Sequence, residues 1–218
     1  VILRLRKSSM LWLTIWPWII WIRVNQLRII AGVAKGRTLG TVAGATRPTS
    51  DRAREGLFSS LLSEFGDFLG LHVLDLFGGS GAIALEALSR GATLVHIVEK
   101  DPDAQKTIEN NFELVNKNKP AGKFHLYSMS AQRFVTDTPK EKYHIVYVDP
   151  PYDFSDAEVE EILSKLHAGS FLKDDAVIAV ERTAKRSHFS WPAGFSAVRE
   201  RNYGQATIFY GNYTPENG

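Results

Sequence analysis

Four residues, Asp149-Pro150-Pro151-Tyr152, close a strand-like run, YHIVYV, at residues 143–148. Proline has a fixed φ and no backbone N–H, so two of them give up ladder hydrogen bonds and leave a stiff turn of carbonyl acceptors. Pro150 also biases Asp149 toward extended backbone. A carboxylate beside a rigid carbonyl can take both hydrogens of an exocyclic NH₂, and Tyr152 can stack on a base. The amino group of a nucleobase is a poor nucleophile because its lone pair is delocalised into the ring. Two acceptors holding its hydrogens turn that lone pair toward an electrophilic carbon and favour the positive charge that develops on nitrogen. Methyl transfer by in-line displacement fits this need, with most of the rate coming from positioning. Asp149, Pro150 and Tyr152 are therefore the candidate catalytic residues.

A second constellation supplies a place for the methyl donor. In VLDLFGGSGAIALEAL, residues 73–88, Gly78, Gly79 and Gly81 lie between a strand and a helix. Glycine permits the tight turn and a close backbone approach to a ligand, and the helix start offers free N–H groups and a positive dipole end. The run Gly79-Ser80-Gly81-Ala82-Ile83-Ala84 fits the dinucleotide pattern with alanine in its third small position. Glu99 ends the next strand, eighteen residues after Gly81, where an acid can accept hydrogen bonds from both ribose hydroxyls of an adenosine. Asp75 separates the possible cofactors. An acid there repels a pyrophosphate, which disfavours NAD, and suits the cationic methionine part of S-adenosylmethionine; it could also cap the loop's own N–H groups. Phe77 and Lys100 flank these positions and complete the loop side of the candidate cofactor set. The histidines (72, 96, 125, 144, 167 and 188) show no metal-ligand pairing, so no metal site is expected.

The elements that must position these groups alternate. Strands are expected over 72–77, 93–100, 123–128, 143–149 and 175–182, with helices over 81–91, 101–116, near 130–136 and 155–167. Two further strands turn near Gly204 within 195–213. This pattern predicts an α/β, Rossmann-like fold with a mostly parallel seven-stranded sheet and an antiparallel terminal hairpin. Ligands in such sheets bind beyond the carboxyl ends of the strands, and the fourth strand should lie beside the first. Residues 47–65 read as a helix capped by Thr49 or Ser50, with Leu57, Phe58, Leu61, Leu62 and Phe65 on one face. Residues 27–42 read as small strands and turns.

Charge is unevenly spread. Residues 1–54 hold ten Lys or Arg and one acid, Asp51, while the rest of the chain is acidic. The basic front end suits phosphate contacts. Absence of cysteine excludes a disulfide framework and a thiolate metal site, and fits a reducing cytosol. The apolar, tryptophan-rich stretch at 11–22 contains Pro17 and is too short to span a membrane, which takes about 20 residues. The expectation is that residues 1–26 form an extension outside the fold, arising from an upstream translation start. A methyltransferase domain then runs over 27–213, divided into a basic β segment (27–46), a helix (47–65) and a core (70–213).

The sets LRIIAGVAKGRTL, RPTSDRAREGLF, LDLFGGSGAIALEALSRGA, VEKD, VYVDPPY and YGQATIFY together resemble the RsmD family over roughly Leu27 to Tyr210. The resemblance implies an enzyme that methylates the N2 amino group of a guanine in 16S ribosomal RNA, free or in a 30S particle. It implies S-adenosylmethionine held by Asp75, Gly78, Gly79, Gly81 and Glu99, and RNA phosphates met by Arg28, Lys35, Arg37, Arg47 and Arg52. Members often carry an acid or amide after the third strand to read adenine; here Ser130 takes that place. A cytoplasmic monomer is expected. The rival readings are a DNA adenine-N6 methyltransferase, a ribosome-assembly factor that binds RNA without catalysis and, third, an NAD-dependent oxidoreductase.

Overall fold

The protein is described by a computed structural model over residues 26–42, 50–184 and 188–215. The extension expected at 1–26 lies outside the described residues up to position 25, as do Arg47 and Thr49. Ser50 is the observed cap: its side chain accepts from the Ala53 N–H and starts α1, Asp51–Phe65. Strand β1 (His72–Asp75) leads through the glycine loop into α2, Ala82–Ser89, which is buried on every side. Strand β2 (Leu94–Glu99) precedes α3, Pro102–Asn116, opened by an Asp101 cap and a proline in its first turn. Strand β3 (Lys123–Ser128), the short α4 (Ala131–Phe134), β4 (Tyr143–Val148) and α5 (Asp156–Ala168) follow. Helix α5 opens with a reciprocal capping box between Ser155 and Glu158. The chain ends in β5 (Leu172–Thr183), β6 (Phe195–Tyr203) and β7 (Ala206–Tyr213).

The seven strands form one sheet in the order β3-β2-β1-β4-β5-β7-β6. All pairings from β3 to β5 are parallel, and β7 runs antiparallel to both of its neighbours. The chain moves outward from β1 to β3 and then returns to place β4 on the other side of β1. That reversal opens a crevice at the carboxyl ends of β1 and β4. One sheet face packs on α1, α2 and α3 through Val73, Ile97, Ile145 and Val177. The other packs on α4 and α5 through Leu74, Val146, Ile178 and Leu163. Both faces are therefore covered, which is why β2 and β4 are apolar at most positions on both faces.

Two local expectations are corrected. Residues 27–42 form a turn-rich segment with a single antiparallel bridge, Arg28 to Thr38, in place of small strands. Its order comes from α2: buried Glu86 accepts from Ile30 N at 2.6 Å and Ala31 N at 2.9 Å, and Ser89 Oγ accepts from Ala34 N at 3.0 Å. In α1, Leu62 is 36% exposed while Arg54 is fully buried. Arg54 takes the inner position because its guanidinium pairs with Asp51 at 2.6 Å, an arrangement that apolar spacing does not reveal.

Candidate active site

The sheet delivers four strand ends to one cleft of about 500 Å³. Beyond β1, Leu76 N donates to Tyr147 O at 3.0 Å and Gly78 N donates to Val98 O at 3.0 Å, so the glycine loop is stitched to β4 and β2. A Cβ at Gly78 would lie 2.2 Å from Ile97 Cγ2, so only glycine lets the backbone sit this close to β2. Gly79 and Gly81 have φ of +52° and +78°, in the left-handed region. Glu99 ends β2 with one carboxylate oxygen accepting from Gly79 N at 2.8 Å and the other from Asp101 N at 2.9 Å. The loop's outer side is held by Asn111 of α3, which donates to Ser80 O and to Gly40 O, each at 2.9 Å.

Asp75 lies under this loop with 1% of its surface exposed. Phe77 N donates to it at 3.3 Å, so it does cap the loop as well as face the cleft. Burial, and to a lesser degree the neighbouring Glu99 charge, push its pKa up to about 7, against the opposing pull of the backbone donors. A carboxylate so placed is short of compensating positive charge. A cationic ligand relieves that shortage; a pyrophosphate aggravates it.

Asp149, Pro150, Pro151 and Tyr152 line the opposite side of the same cleft. Pro150 is buried, and Tyr152 is 63% exposed, with its ring available to a large substrate. Phe154 N closes the turn on Pro151 O at 3.0 Å, and the Phe154 ring meets Phe77 edge-to-face at 5.3 Å. Arg182 of β5 fixes this rim from below: its Nη2 donates to Phe154 O at 2.6 Å and pairs with Asp156 Oδ1 at 2.9 Å.

The cleft thus brings together Asp75, Phe77, Gly78, Gly79, Glu99, Lys100, Ser130, Asp149, Pro150 and Tyr152. Gly81 shapes the loop without lining the cavity. Ser130 is occupied as the cap of α4, its Oγ accepting from Arg133 N at 3.2 Å, so Met129 and Ala131 beside it offer an apolar wall for a ring. Of the basic candidates, the described Arg28, Lys35, Arg37 and Arg52 do not line the cleft. Arg28 approaches Asp51 at 3.6 Å, Arg37 donates to Asn118 at 2.8 Å, and Lys35 and Arg52 are exposed. Sequence reasoning missed Tyr147 and Glu181, which both line the cleft and hydrogen-bond at 2.5 Å, and it missed Arg182. The available signal was the pair of opposite charges closing the apolar run of β5. Among the described residues no cluster of three or more metal-ligating side chains occurs, and no helix is long and apolar enough to cross a membrane.

A family profile described as Conserved hypothetical protein 95 matches residues 27–212. Ribosomal RNA small subunit methyltransferase D of Escherichia coli (strain K12) is 36% identical over 184 residues, covering 83% of this chain and 87% of that protein. The protein of the same name from Haemophilus influenzae is 31% identical over 183 residues, covering 83% and 90%. The solved structure of Escherichia coli yhhF superposes with a TM-score of 0.75 at 31% identity, over 88% of this chain and 100% of that one. The rRNA methyltransferase aviRa from Streptomyces viridochromogenes shares the fold at a TM-score of 0.60 and 15% identity, over 80% of this chain and 88% of that one. Strand order, glycine loop and the acid after β2 define a Rossmann-like methyltransferase of the S-adenosylmethionine-dependent class. Within that class, the chain belongs to the Conserved hypothetical protein 95 family, the RsmD family of ribosomal RNA methyltransferases.

Proposed function

We propose that the protein transfers a methyl group from S-adenosylmethionine to the exocyclic N2 of a guanine in 16S ribosomal RNA. The observation that carries this reading is the opening of Asp149-Pro150-Pro151-Tyr152 into the same cleft as Asp75, the glycine loop and Glu99. The cofactor fits the residues present. Asp75 gains a cationic neighbour, Glu99 stands where a ribose diol would lie, and Gly78 lets the loop backbone pack against β2 at the cleft wall. Bound there, S-adenosylmethionine supplies an electrophilic methyl carbon on a sulfonium sulfur that leaves as a neutral thioether.

In this reading Asp149 and the Pro150 carbonyl accept the two N2 hydrogens and turn the nitrogen lone pair out of conjugation. As the new N–C bond forms, the developing charge on nitrogen is met by the Asp149 carboxylate, which can take the departing proton. Tyr152 stacks on the base. The basic front end, Arg28, Lys35, Arg37, Arg47 and Arg52, meets RNA phosphates. The partner is 16S RNA in the small subunit or an assembly intermediate, which places the protein in the cytoplasm, and the protein acts as a monomer with its methyltransferase domain spanning 27–213.

The test uses small subunits from a strain lacking the enzyme, purified protein and methyl-labelled cofactor. The expected product is N2-methylguanosine, identified by nucleoside mass spectrometry. Label in N6-methyladenosine, in free DNA or in no nucleoside overturns the reading.

A further inference from the structure

We infer that Glu181 selects guanine over adenine by accepting the ring N1–H of the target base; this rests on the guanine-N2 reading above. Glu181 is 8% exposed and lines the cleft that Asp149 lines. Strands β4 and β5 run parallel, with Tyr147 opposite Ala179 and Val148 opposite Val180. Continued one step past the end of β4, that register would set Asp149 beside Glu181 on the same sheet face, at the interstrand spacing of about 4.8 Å. Tyr147, two residues before Asp149 and on that face, donates its hydroxyl to Glu181 Oε2 at 2.5 Å and so holds the carboxylate in one orientation.

This arrangement matches one base edge and rejects another. Guanine displays two neighbouring donors, the N1–H and the N2 amino group. Adenine displays an acceptor lone pair at N1, which a carboxylate repels. Two carboxylates on adjacent strands therefore suit the guanine edge, with Asp149 at the reacting nitrogen and Glu181 at the ring nitrogen. A site built to receive a substrate N–H discriminates far more strongly than an apolar pocket, because an analogue without the N–H forfeits that bond in a buried polar site. The next residue, Arg182, serves the other side, holding the loop that carries Tyr152. Adjacent side chains of β5 thus divide between reading the base and bracing the rim.

The experiment begins with the nucleotide mapped from the labelled wild-type product. Small subunits are then reconstituted with 16S RNA ligated to carry 2-aminopurine there, a base that keeps the 2-amino group and lacks N1–H. Wild-type protein is expected to prefer guanine by roughly 100-fold. Glu181→Gln, which keeps the size of the side chain and a partner for Tyr147, is expected to slow guanine methylation about tenfold and 2-aminopurine methylation less than about twofold. The ratio of the two rates is the decisive readout, since a merely structural defect slows both bases alike. Equal losses on both bases, or no loss on either, overturn the role of Glu181, and so does loss of cofactor binding in Glu181→Gln. Tyr147→Phe, which releases the carboxylate from its fixed orientation, provides an independent variant and should lower the ratio by about threefold; an unchanged ratio there counts against the proposal. If the label resides outside guanine N2, the reading of the function fails first. If N2-methylguanosine forms and the ratio stays constant, only the role of Glu181 falls.

Discussion

Asp75 and Asp149 are carboxylates at neighbouring strand ends facing one cleft, and their surroundings give them different work. Asp75 has a folded-state pKa near 7, above its ordinary value of 3.8. Between those two values the folded protein holds a proton that the unfolded chain releases, so stability without cofactor falls as pH rises from about 4 to 7. The full span corresponds to about 4 kcal/mol at most. Asp75→Asn should therefore raise the Tm of the cofactor-free protein at pH 8 and have less effect near pH 4.5, measured by calorimetry. The same change removes the counter-charge to the cofactor, so calorimetric titration should show affinity reduced by roughly tenfold or more. In the wild type, cofactor affinity should weaken as pH drops below 7, because binding a cation requires the ionised form. Asp149→Ala is expected to cut methyl transfer by about 10²–10³-fold, as loss of one preorganised electrostatic partner does, with cofactor affinity unchanged. Unaltered turnover in that variant would remove Asp149 from the mechanism.

The helices, strands and loops act by holding these groups still. The glycine loop is tied to β2 by Gly78 and Glu99, and to α3 by Asn111. Gly78→Ala would drive a methyl group into Ile97, displacing the loop; cofactor affinity should fall sharply while the sheet remains folded by circular dichroism. The rim loop after β4 depends on Arg182, whose guanidinium holds Phe154 O and Asp156. Arg182→Met keeps much of the buried volume and removes the hydrogen bonds, leaving Asp156 without this partner. Asp156 is partly exposed, so water compensates some of the loss and the cost falls below that of breaking a fully buried pair. A lowered Tm and a lowered kcat for RNA methylation, with cofactor affinity nearly intact, are the expected signs.

Across the whole molecule, the front-end segment reaches the cofactor cleft through Leu27, Thr41 and Val42, while its described basic side chains do not line it. Arg28, Lys35, Arg37 and Arg52 are exposed on or near the segment that Glu86 and Ser89 dock onto α2. If RNA phosphates are met there, binding should weaken steeply with salt. Replacing Lys35 and Arg52 with Gln should reduce the slope of log affinity against log salt by about 0.7 to 0.9 for each phosphate that is no longer neutralised. Cofactor titration should not change. An unaltered salt slope would move the RNA interface elsewhere, and the exposed edge strand β6, with Arg201, is the next surface to test.

The alternation of elements was legible because each one is local: β3 and β4 match the expected runs, and α3 and α5 lie where the helices were expected. The glycine loop, Glu99 and Asp149 were legible for a related reason, since each stands at the end of a recognisable strand. Residues 27–42 were misread because their order depends on Glu86 and Ser89, more than 50 positions away. Arg54 escaped notice because a charge is buried only when its partner is near. Glu181 and Arg182 look, in a linear chain, like charges leaving a strand for solvent. Their burial at the cleft follows from β5 pairing with β4 and β7, which covers both sides of the strand and leaves its end at the cleft that Asp149 also lines. Sequence alone determined the strands and helices from residue 72 onward and the reaction class, because turn chemistry and strand-end residues act over a few positions. Tertiary structure alone decided that Glu181 joins Asp75, Glu99 and Asp149 in one crevice, because strand order brings together residues that no local pattern connects.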